Sequence, residues 1–280
     1  MNPLGINLWN WVPRLEDADP SLVRRIASMG FTAVELPMTE SHTPNFSGLM
    51  ETAAEENLEV TFCASLPVKR DMSGDDEGAR KNALAYLEEC FRAGEKYGVR
   101  LLSGALYGSA GKRRFLSGED KKREWDYAVE GIGRAAKAAK ERGITLGIEP
   151  LNRYRTSMIN TAEQALRLAA DINMDNVGIL FDTFQANIEE TAMVPALEEV
   201  LKQGKLVHFH ASENNRGAPG TGHNPWQDLA ALLQKYRYAG HITMESFCPL
   251  GPDPALYPLA ETQDLLAKTG IENMKRIFSR

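Results

Sequence analysis

Four side chains of the types that bind divalent metals stand at the ends of four short apolar segments. They are Glu149 after Leu-Gly-Ile, Asp182 after Ile-Leu-Phe, His210 after His-Phe and Glu245 after Ile-Thr-Met. If these segments are neighbouring strands of a parallel barrel, their carboxyl ends meet and the three carboxylates share a small space. Carboxylates that close together do not all stay ionised unless a cation lies among them. The pattern therefore predicts one divalent metal ion bound by these four residues.

The donor set also indicates which ion to expect. Three carboxylates and one imidazole favour a hard or borderline ion, so we predict Mn²⁺, with Mg²⁺ and Co²⁺ as alternatives. A structural zinc site would use thiolates, and the three cysteines are far apart and form no CxxC pair. A lone carboxylate at a strand end often caps the next helix, but four ligand-type residues in the same phase on consecutive strands favour a metal site. His208 shares a face with His210 and is expected one layer lower, as a packed interior histidine.

Eight short apolar segments along the chain predict the strands that position these side chains. They span residues 4–8, 31–36, 58–64, 99–105, 144–150, 177–182, 205–210 and 241–246. A Gly or Asn stands before the second to eighth segments, where a preceding helix is expected to end in the left-handed conformation. These residues are Gly30, Asn57, Gly98, Gly143, Asn176, Gly204 and Gly240.

Amphipathic stretches between the strands predict helices. Clear examples span residues 75–97, 120–142, 161–172 and 226–238. Alternating strands and helices indicate parallel βαβ units, and eight of them predict an α/β fold of the (β/α)₈ TIM barrel type, with a doubly wound open sheet as the alternative. No linker or change in composition divides the chain, so we predict a single domain over residues 1–280.

Composition and charge argue against several classes of protein. The chain has 280 residues, of which 43% are hydrophobic and 25% charged, and its formal net charge is −6. A negative charge argues against a nucleic-acid partner, and the basic clusters at residues 112–114 and 121–123 are interpreted as solvated helix flanks. No apolar segment approaches the roughly 20 residues that cross a bilayer, so no membrane partner is expected. No secretory signal is recognised and the cysteines form no disulfide framework, which predicts a cytoplasmic location.

Several longer motifs resemble those of a known enzyme family. They are GIEPLNRYRTSMINTAEQA (147–165), LFDTFQANIEE (180–190), HFHASENNRGAPGTGHNPW (208–226) and ITMESF (242–247). Together they resemble the ketose 3-epimerases of the D-tagatose/D-psicose type, within the xylose-isomerase-like TIM barrel superfamily. The likeness covers nearly the whole chain, since ASLPVKRDMSGDD (64–76) and LLSGALYG (101–108) also look like strand exits of those enzymes.

The resemblance implies a function and a mechanism. The chain would be an isomerase that inverts C3 of a free ketose, with Glu149, Asp182, His210 and Glu245 as metal ligands. Glu149 and Glu245 also match the two acid/base carboxylates, one removing the C3 proton and the other returning a proton from the opposite face, while the metal polarises the ketone. Similar epimerases form dimers or tetramers, so the resemblance implies a small sugar as substrate and a homodimer or homotetramer.

The resemblance also implies a set of substrate-binding residues. Arg216 matches an arginine that hydrogen-bonds the substrate near its carbonyl end. Asn7 and Ala105, at the mouths of the first and fourth strands, fall where the family lines its pocket. The segment 217–222, rich in glycine, is a candidate mobile rim over the site, with an ordinary surface loop as the alternative.

Two positions depart from the family pattern and bear on the choice of substrate. The family motif usually reads DTFH, but this chain has Gln185 in the last position, and Arg155 stands where the family tends to carry Glu. Both positions contact the ketose in the family, and both changes alter charge or donor pattern. An acidic or differently hydroxylated ketose is therefore an alternative to D-psicose or D-tagatose. A second interpretation pairs Arg155 with Glu189 or Glu190, away from the substrate.

Three other functions fit the same fold. An aldose–ketose isomerase would use the same metal site but move a hydrogen between C1 and C2. An apurinic-site endonuclease of this superfamily would need three zinc ions and additional histidines, whereas this chain is acidic and has five histidines. A sugar-binding protein without activity would not need the intact set of four ligands.

Overall fold

The computed structural model describes residues 2–39 and 46–278, and within them eight parallel strands close into a barrel in chain order. The strands are β1 (Leu4–Asn7), β2 (Ala33–Pro37), β3 (Glu59–Leu66), β4 (Leu101–Ser109), β5 (Thr145–Ile148), β6 (Val177–Asp182), β7 (Leu206–His210) and β8 (Ile242–Met244). Strand β1 pairs with β8, with Gly5 opposite Thr243, so the sheet has no edge. The predicted TIM barrel is confirmed, and the open sheet is excluded.

Nine α-helices surround this barrel in the described part of the chain. They are α1 (Pro20–Ser28), α2 (Phe46–Glu55), α3 (Glu77–Tyr97), α4 (Gly118–Glu141), α5 (Ala162–Ile172), α6 (Thr183–Glu189), α7 (Met193–Lys202), α8 (Trp226–Lys235) and α9 (Gln263–Phe278). The four helices predicted from periodicity are present, with ends shifted by a few residues. Helix α5 begins with a capping box in which Thr161 and Gln164 bond each other's backbone N–H groups, so two otherwise unpaired donors are satisfied.

The left-handed residues that end the helices agree with prediction at five of seven positions. These are Gly30, Asn57, Gly98, Gly143 and Gly204. The prediction is wrong at Asn176 and Gly240, because the left-handed residues there are Asn173 and Arg237. Asn176 instead donates through Nδ2 to two backbone carbonyls, at 2.8 and 3.1 Å, and so joins the start of β6 to its neighbours.

In the basic cluster at residues 112–114, Arg113 and Arg114 are exposed as predicted, but Lys112 is not. Lys112 keeps only 11% of its side chain exposed, and its Nζ lies 3.0 Å from a carboxylate oxygen of both Asp71 and Glu124. A lysine this close to two buried carboxylates compensates charge inside the loop region, which its polar sequence context does not reveal. In the second cluster, Lys122 is 75% exposed and pairs with Asp126 on α4, as a solvated helix flank does.

No helix in the described ranges combines the length and apolarity that crossing a membrane requires.

Candidate active site

The four predicted metal ligands meet at the carboxyl end of the barrel. Each of Glu149, Asp182, His210 and Glu245 offers one ligand atom, and these atoms all lie within 4.8 Å of one another. Asp182 and His210 are the last residues of β6 and β7 and are paired in register, whereas Glu149 and Glu245 directly follow β5 and β8. All four side chains are buried. The same phase at the end of four consecutive strands therefore produces one cluster.

Arg216 supplies a fixed positive charge beside this cluster. Its Nη1 lies 2.8 Å from an oxygen of Asp182 and 2.8 Å from an oxygen of Glu245, and its Nη2 lies 3.2 Å from Asp253. The guanidinium also stacks over the ring of Phe184, 3.9 Å from its centroid. Its backbone is left-handed, with φ of 66°, in the loop after β7. Charge and geometry together hold this arginine at the edge of the cluster.

The surroundings separate the pKa values of the carboxyl groups. Burial, and then the charges of Glu245 and Asp182, raise the pKa of Glu149 well above its usual value. Burial also raises the pKa of Asp182, although Arg216 opposes the shift. Burial alone would raise the pKa of Glu245 as well, but His210 and Arg216 outweigh it and lower that pKa. Without a further cation, Glu149 is therefore the carboxyl that most readily keeps its proton.

The cluster fits a divalent metal ion. The Nδ1 atom of His210 is buried without a hydrogen-bond partner and lies 3.5 Å from a carboxylate oxygen of Glu245. An unpaired buried nitrogen is costly, and a metal ion at this point would satisfy it. Three carboxylates and one imidazole are suitable ligands for Mn²⁺, Mg²⁺ or Co²⁺. These four residues could therefore hold such an ion.

Another buried ionisable residue, Glu35 on β2, contacts the cluster from inside the barrel. Its carboxylate lies 2.8 Å from Nε2 of His210 and 2.7 Å from Nε2 of His208, and it accepts hydrogen bonds from Asn7 and Thr61. His208 is thus an interior, hydrogen-bonded histidine, as expected. Sequence reasoning missed Glu35, although a charged residue inside the apolar segment FTAVEL is a signal, since such a charge is buried only with partners.

A cavity opens beside the cluster, and four of the five predicted substrate-binding residues line it. They are Ala105, Gln185, Arg155 and Arg216, next to Glu149 and Glu245. A larger cavity, of about 910 Å³, lies between α8 and α9, and none of the four ligand-type side chains lines it. Of these two cavities, the one at the barrel end is therefore the one whose wall contains candidate catalytic side chains.

The fifth residue, Asn7, is not part of the cavity wall, contrary to expectation. Its side chain is fully buried, donates through Nδ2 to Glu35 at 2.9 Å and accepts through Oδ1 from the backbone of Trp9 at 3.0 Å. Both ends of the amide are thereby used within the barrel. Gln185 does line the cavity, and its Oε1 accepts from the backbone N–H and the Nδ2 of Asn152. Because these two bonds use the oxygen of the Gln185 amide, its NH₂ group is the end that can donate to a ligand in the cavity.

Arg155 makes no ion pair among the described residues. Its guanidinium donates to the backbone carbonyl of Pro252 at 3.2 Å. The carboxylate of Glu189 is taken by Arg153, at 2.9 Å, and Glu190 accepts from a backbone N–H at the start of α5. The interpretation that paired Arg155 with either glutamate is therefore wrong, and this side chain stays at the cavity.

The segment 217–222, a candidate mobile rim, is anchored by the buried carboxylate of Glu213. That carboxylate accepts from the backbone of Gly220 at 2.9 Å, the backbone of Asn224 at 3.0 Å and the indole N–H of Trp226 at 2.7 Å. Three such bonds tie the interior of the segment and the residues that follow it to one buried charge. The polar sequence around Glu213 carries no signal that would single it out.

Comparison with known proteins agrees with this geometry. The family model for the xylose isomerase-like TIM barrel matches residues 23–277. The chain belongs to this family. Among solved structures, D-psicose 3-epimerase with D-tagatose from Clostridium cellulolyticum H10 has a TM-score of 0.88 and 26% identity, covering 99% of both chains.

Relatives of this xylose isomerase-like barrel also carry epimerase names. D-psicose 3-epimerase of Ruminiclostridium cellulolyticum is 29% identical over 250 residues, which cover 88% of this chain and 84% of the relative. L-ribulose 3-epimerase of Mesorhizobium japonicum is 29% identical over 250 residues, covering 88% of this chain and 82% of the relative. The resemblance to ketose 3-epimerases inferred from the motifs is confirmed.

Proposed function

We propose that this protein is a metal-dependent epimerase that inverts C3 of a free ketose. The observation that carries the proposal is the pair of buried carboxylates, Glu149 and Glu245, in one cluster with Asp182 and His210 beside a cavity. Relatives named D-psicose and L-ribulose 3-epimerase support the same reaction class. Epimerisation at C3 requires a proton to leave one face of the carbon and another to arrive at the opposite face.

The positions of the two glutamates support such an exchange. Strands β5 and β8 are separated by two strands of the barrel, so Glu149 and Glu245 reach the cavity from different sides. A bound divalent ion would polarise the ketone and stabilise the negative charge that develops on its oxygen. One glutamate, as a carboxylate, takes the C3 proton to leave a planar enediolate, and the other, as a carboxylic acid whose proton comes from solvent, returns a proton to the far face. Arg216, fixed beside Glu245, is proposed to donate a hydrogen bond near the carbonyl end of the sugar.

The remaining cavity residues are proposed to contact the rest of the ketose. Ala105 leaves room in the wall, and Gln185 and Arg155 face the substrate with N–H donors. A wall with donors selects a substrate rich in acceptors, such as a ketose with a carboxylate at the end remote from its carbonyl. A neutral ketohexose or ketopentose is the competing choice.

Solvent exchange tests the reaction. Candidate ketoses are incubated with enzyme and Mn²⁺ in D₂O, and the product is analysed by NMR. Deuterium at C3 of the epimer is the expected result. Label only at C1 would replace the proposal with aldose–ketose isomerisation, and no turnover on a broad panel of neutral and acidic ketoses would favour a binding protein without activity.

Arg155 and Arg153, two residues apart in the chain, provide a matched test of the substrate class. Arg155→Gln is expected to raise KM about tenfold for a ketose with a terminal carboxylate, the equivalent of about 1.4 kcal/mol, and to leave KM for the neutral analogue unchanged. Arg153→Gln is the control, because its guanidinium pairs with Glu189. Equal effects on both substrates would argue against recognition of an acidic group.

Three further predictions concern the metal ion, the assembly state and the location in the cell. Mn²⁺ is the expected ion, and elemental analysis of the purified protein identifies the metal it carries. A homodimer or homotetramer is expected from the similar epimerases, and light scattering measures the mass in solution. The cytoplasmic location stays a prediction, which localisation of the tagged protein tests.

A further inference from the structure

The barrel contains a second group of ligand-type side chains, one layer below the proposed metal site. It consists of Glu35, His208 and His210, and all three are fully buried. Glu35 comes from β2 and the histidines from β7, so the contact crosses the interior of the barrel. His210 is shared by this group and the cluster of four ligands.

The second group is not a second metal site. Oε1 of Glu35 accepts hydrogen bonds from Nδ2 of Asn7, at 2.9 Å, and from Nε2 of His210, at 2.8 Å. Oε2 accepts hydrogen bonds from Oγ1 of Thr61, at 3.1 Å, and from Nε2 of His208, at 2.7 Å. Four donors use the roughly four lone-pair sites of the carboxylate. A metal ion lies about 2.0–2.2 Å from each of its nitrogen and oxygen ligands. Two ligands of one ion are therefore farther apart than the hydrogen-bonded atoms here.

The contacts of Glu35 determine how His210 presents its ring. Since Nε2 faces a carboxylate, that nitrogen carries the proton, and the neutral ring then has its lone pair on Nδ1. Nδ1 is the buried atom without a partner, 3.5 Å from Glu245 in the cluster of four. A hydrogen bond from the second ring nitrogen to a carboxylate is a general means of fixing the tautomer and orientation of a metal-bound histidine.

We propose that Glu35 is a positioning residue that fixes the Nε2–H tautomer and the ring orientation of His210, so that Nδ1 binds the metal. Of the other three donors, Asn7 and His208 hold the carboxylate of Glu35 in place, whereas Thr61 makes the longest contact, at 3.1 Å. All four ligands of the cluster come from the β5–β8 half of the barrel, and Glu35 connects them to the β1–β3 half. The proposal rests on the metal site of the proposed function but not on the identity of the reaction.

Metal affinity of a Glu35→Gln variant tests the proposal. The amide keeps the shape of the side chain but turns one acceptor into a donor, which conflicts with a histidine N–H. Mn²⁺ affinity, measured by competition with a chelator, is expected to fall about 10–100-fold. In the Co²⁺-loaded protein, the visible absorption spectrum is expected to change, because the orientation of an imidazole ligand changes.

Thr61→Val is the matched control. It removes a hydrogen bond to the same carboxylate but does not contact His210, so Mn²⁺ affinity is expected to stay within a few-fold of the wild-type value. A purely structural role for Glu35 would lower the melting temperature of both metal-free variants and leave the affinity and the Co²⁺ spectrum unchanged. That result overturns the proposal.

A measurement on the wild-type protein covers the case in which Glu35→Gln does not fold. With ¹⁵N-labelled histidine and diamagnetic Zn²⁺ bound, NMR is expected to show the proton of His210 on Nε2. A proton on Nδ1 overturns the proposal. If the wild type binds Mn²⁺ and Glu35→Gln weakens it, but no ketose is epimerised, the positioning role stands and the proposed function falls.

Discussion

Glu149 and Glu245 face one cavity but differ in their nearest charges. Glu245 lies against the guanidinium of Arg216 and the ring of His210, whereas Glu149 is affected mainly by burial and by two neighbouring carboxylates. Surroundings that move two carboxyl pKa values apart are typical of an acid and a base in one site. At the scale of single residues, the site therefore favours a proton on Glu149 and a negative charge on Glu245 before a metal binds.

Removing either charge is expected to stop the reaction. Glu149→Gln and Glu245→Gln keep the side-chain shape but cannot exchange a proton, so kcat is expected to fall by at least about 10²–10⁴-fold. Steady-state assays of C3 epimerisation measure the loss, and circular dichroism checks the fold. Glu189→Gln, whose side chain pairs with Arg153 outside the cavity, is the control and should retain most activity. Full activity in either cluster variant would contradict the assigned roles.

Metal binding is expected to release protons. Since burial and neighbouring carboxylates raise the pKa of Glu149 in the metal-free protein, the group is protonated below that pKa and must lose its proton to bind an ion. Burial would lower the pKa of His210, but the charges of Glu35 and Glu245 outweigh it and raise that pKa, so this ring must also lose a proton. The apparent affinity for Mn²⁺ therefore rises with pH until the raised pKa values of Glu149 and His210 are passed, and then levels off. Calorimetric titration in two buffers with different ionisation enthalpies measures the number of protons released. An affinity independent of pH between 5 and 8 would contradict the raised pKa.

At the scale of elements, the loops after β3 and β4 are joined by Lys112. Its Nζ contacts Asp71 before α3 and Glu124 on α4, and only 11% of its side chain is exposed. One buried cation thus holds two loops and a helix at the carboxyl end of the barrel, where the cavity opens. The positions of these two loops depend on the pairing of these charges.

Replacing this cation is expected to destabilise the protein. Lys112→Met leaves two buried carboxylates without their shared partner and should lower the free energy of unfolding by about 3 kcal/mol. Urea denaturation measures the change. Lys122→Met is the control, because its ion pair with Asp126 is exposed and should contribute little. Equal stability of the two variants would show that the buried network contributes no more than a surface pair.

Across the whole molecule, the four ligands of the proposed metal ion lie on four strands that are separated in the chain. An ion bound to all four would tie β5, β6, β7 and β8 together, and it would bind the folded chain only, because the ligands are dispersed when the chain unfolds. Under the proposed function, metal binding and the stability of the barrel are therefore linked.

Removal of metal is expected to lower the melting temperature. Mn²⁺ at 100 times its dissociation constant should add about 2.7 kcal/mol to the free energy of unfolding, which corresponds to roughly 5 °C for a chain of this size. Calorimetry with EDTA and then with added Mn²⁺ measures the shift. His210→Gln is the control and should lose most of it. A melting temperature unaffected by Mn²⁺ in the wild type would contradict a metal site built from these strands.

The sequence alone determined the barrel and its four metal-type ligands. Each ligand stands at the end of its own apolar segment, and in a closed parallel barrel the same phase on neighbouring strands means the same place in space. Ala105, Gln185, Arg155 and Arg216 were implied by the resemblance to ketose 3-epimerases, and all four line the cavity. Local patterns were sufficient for the four ligands because strand position and neighbour order fix their location.

Only the tertiary structure decided the contacts that cross the barrel or join its loops. Glu35 and His210 are 175 positions apart and lie on β2 and β7, which are not adjacent strands. The buried position of Asn7 and the burial of Lys112 likewise depend on which side chains the closed barrel and its loops bring opposite them. Periodicity describes the face on which a residue lies, but the partner across the interior is set by how the whole chain packs.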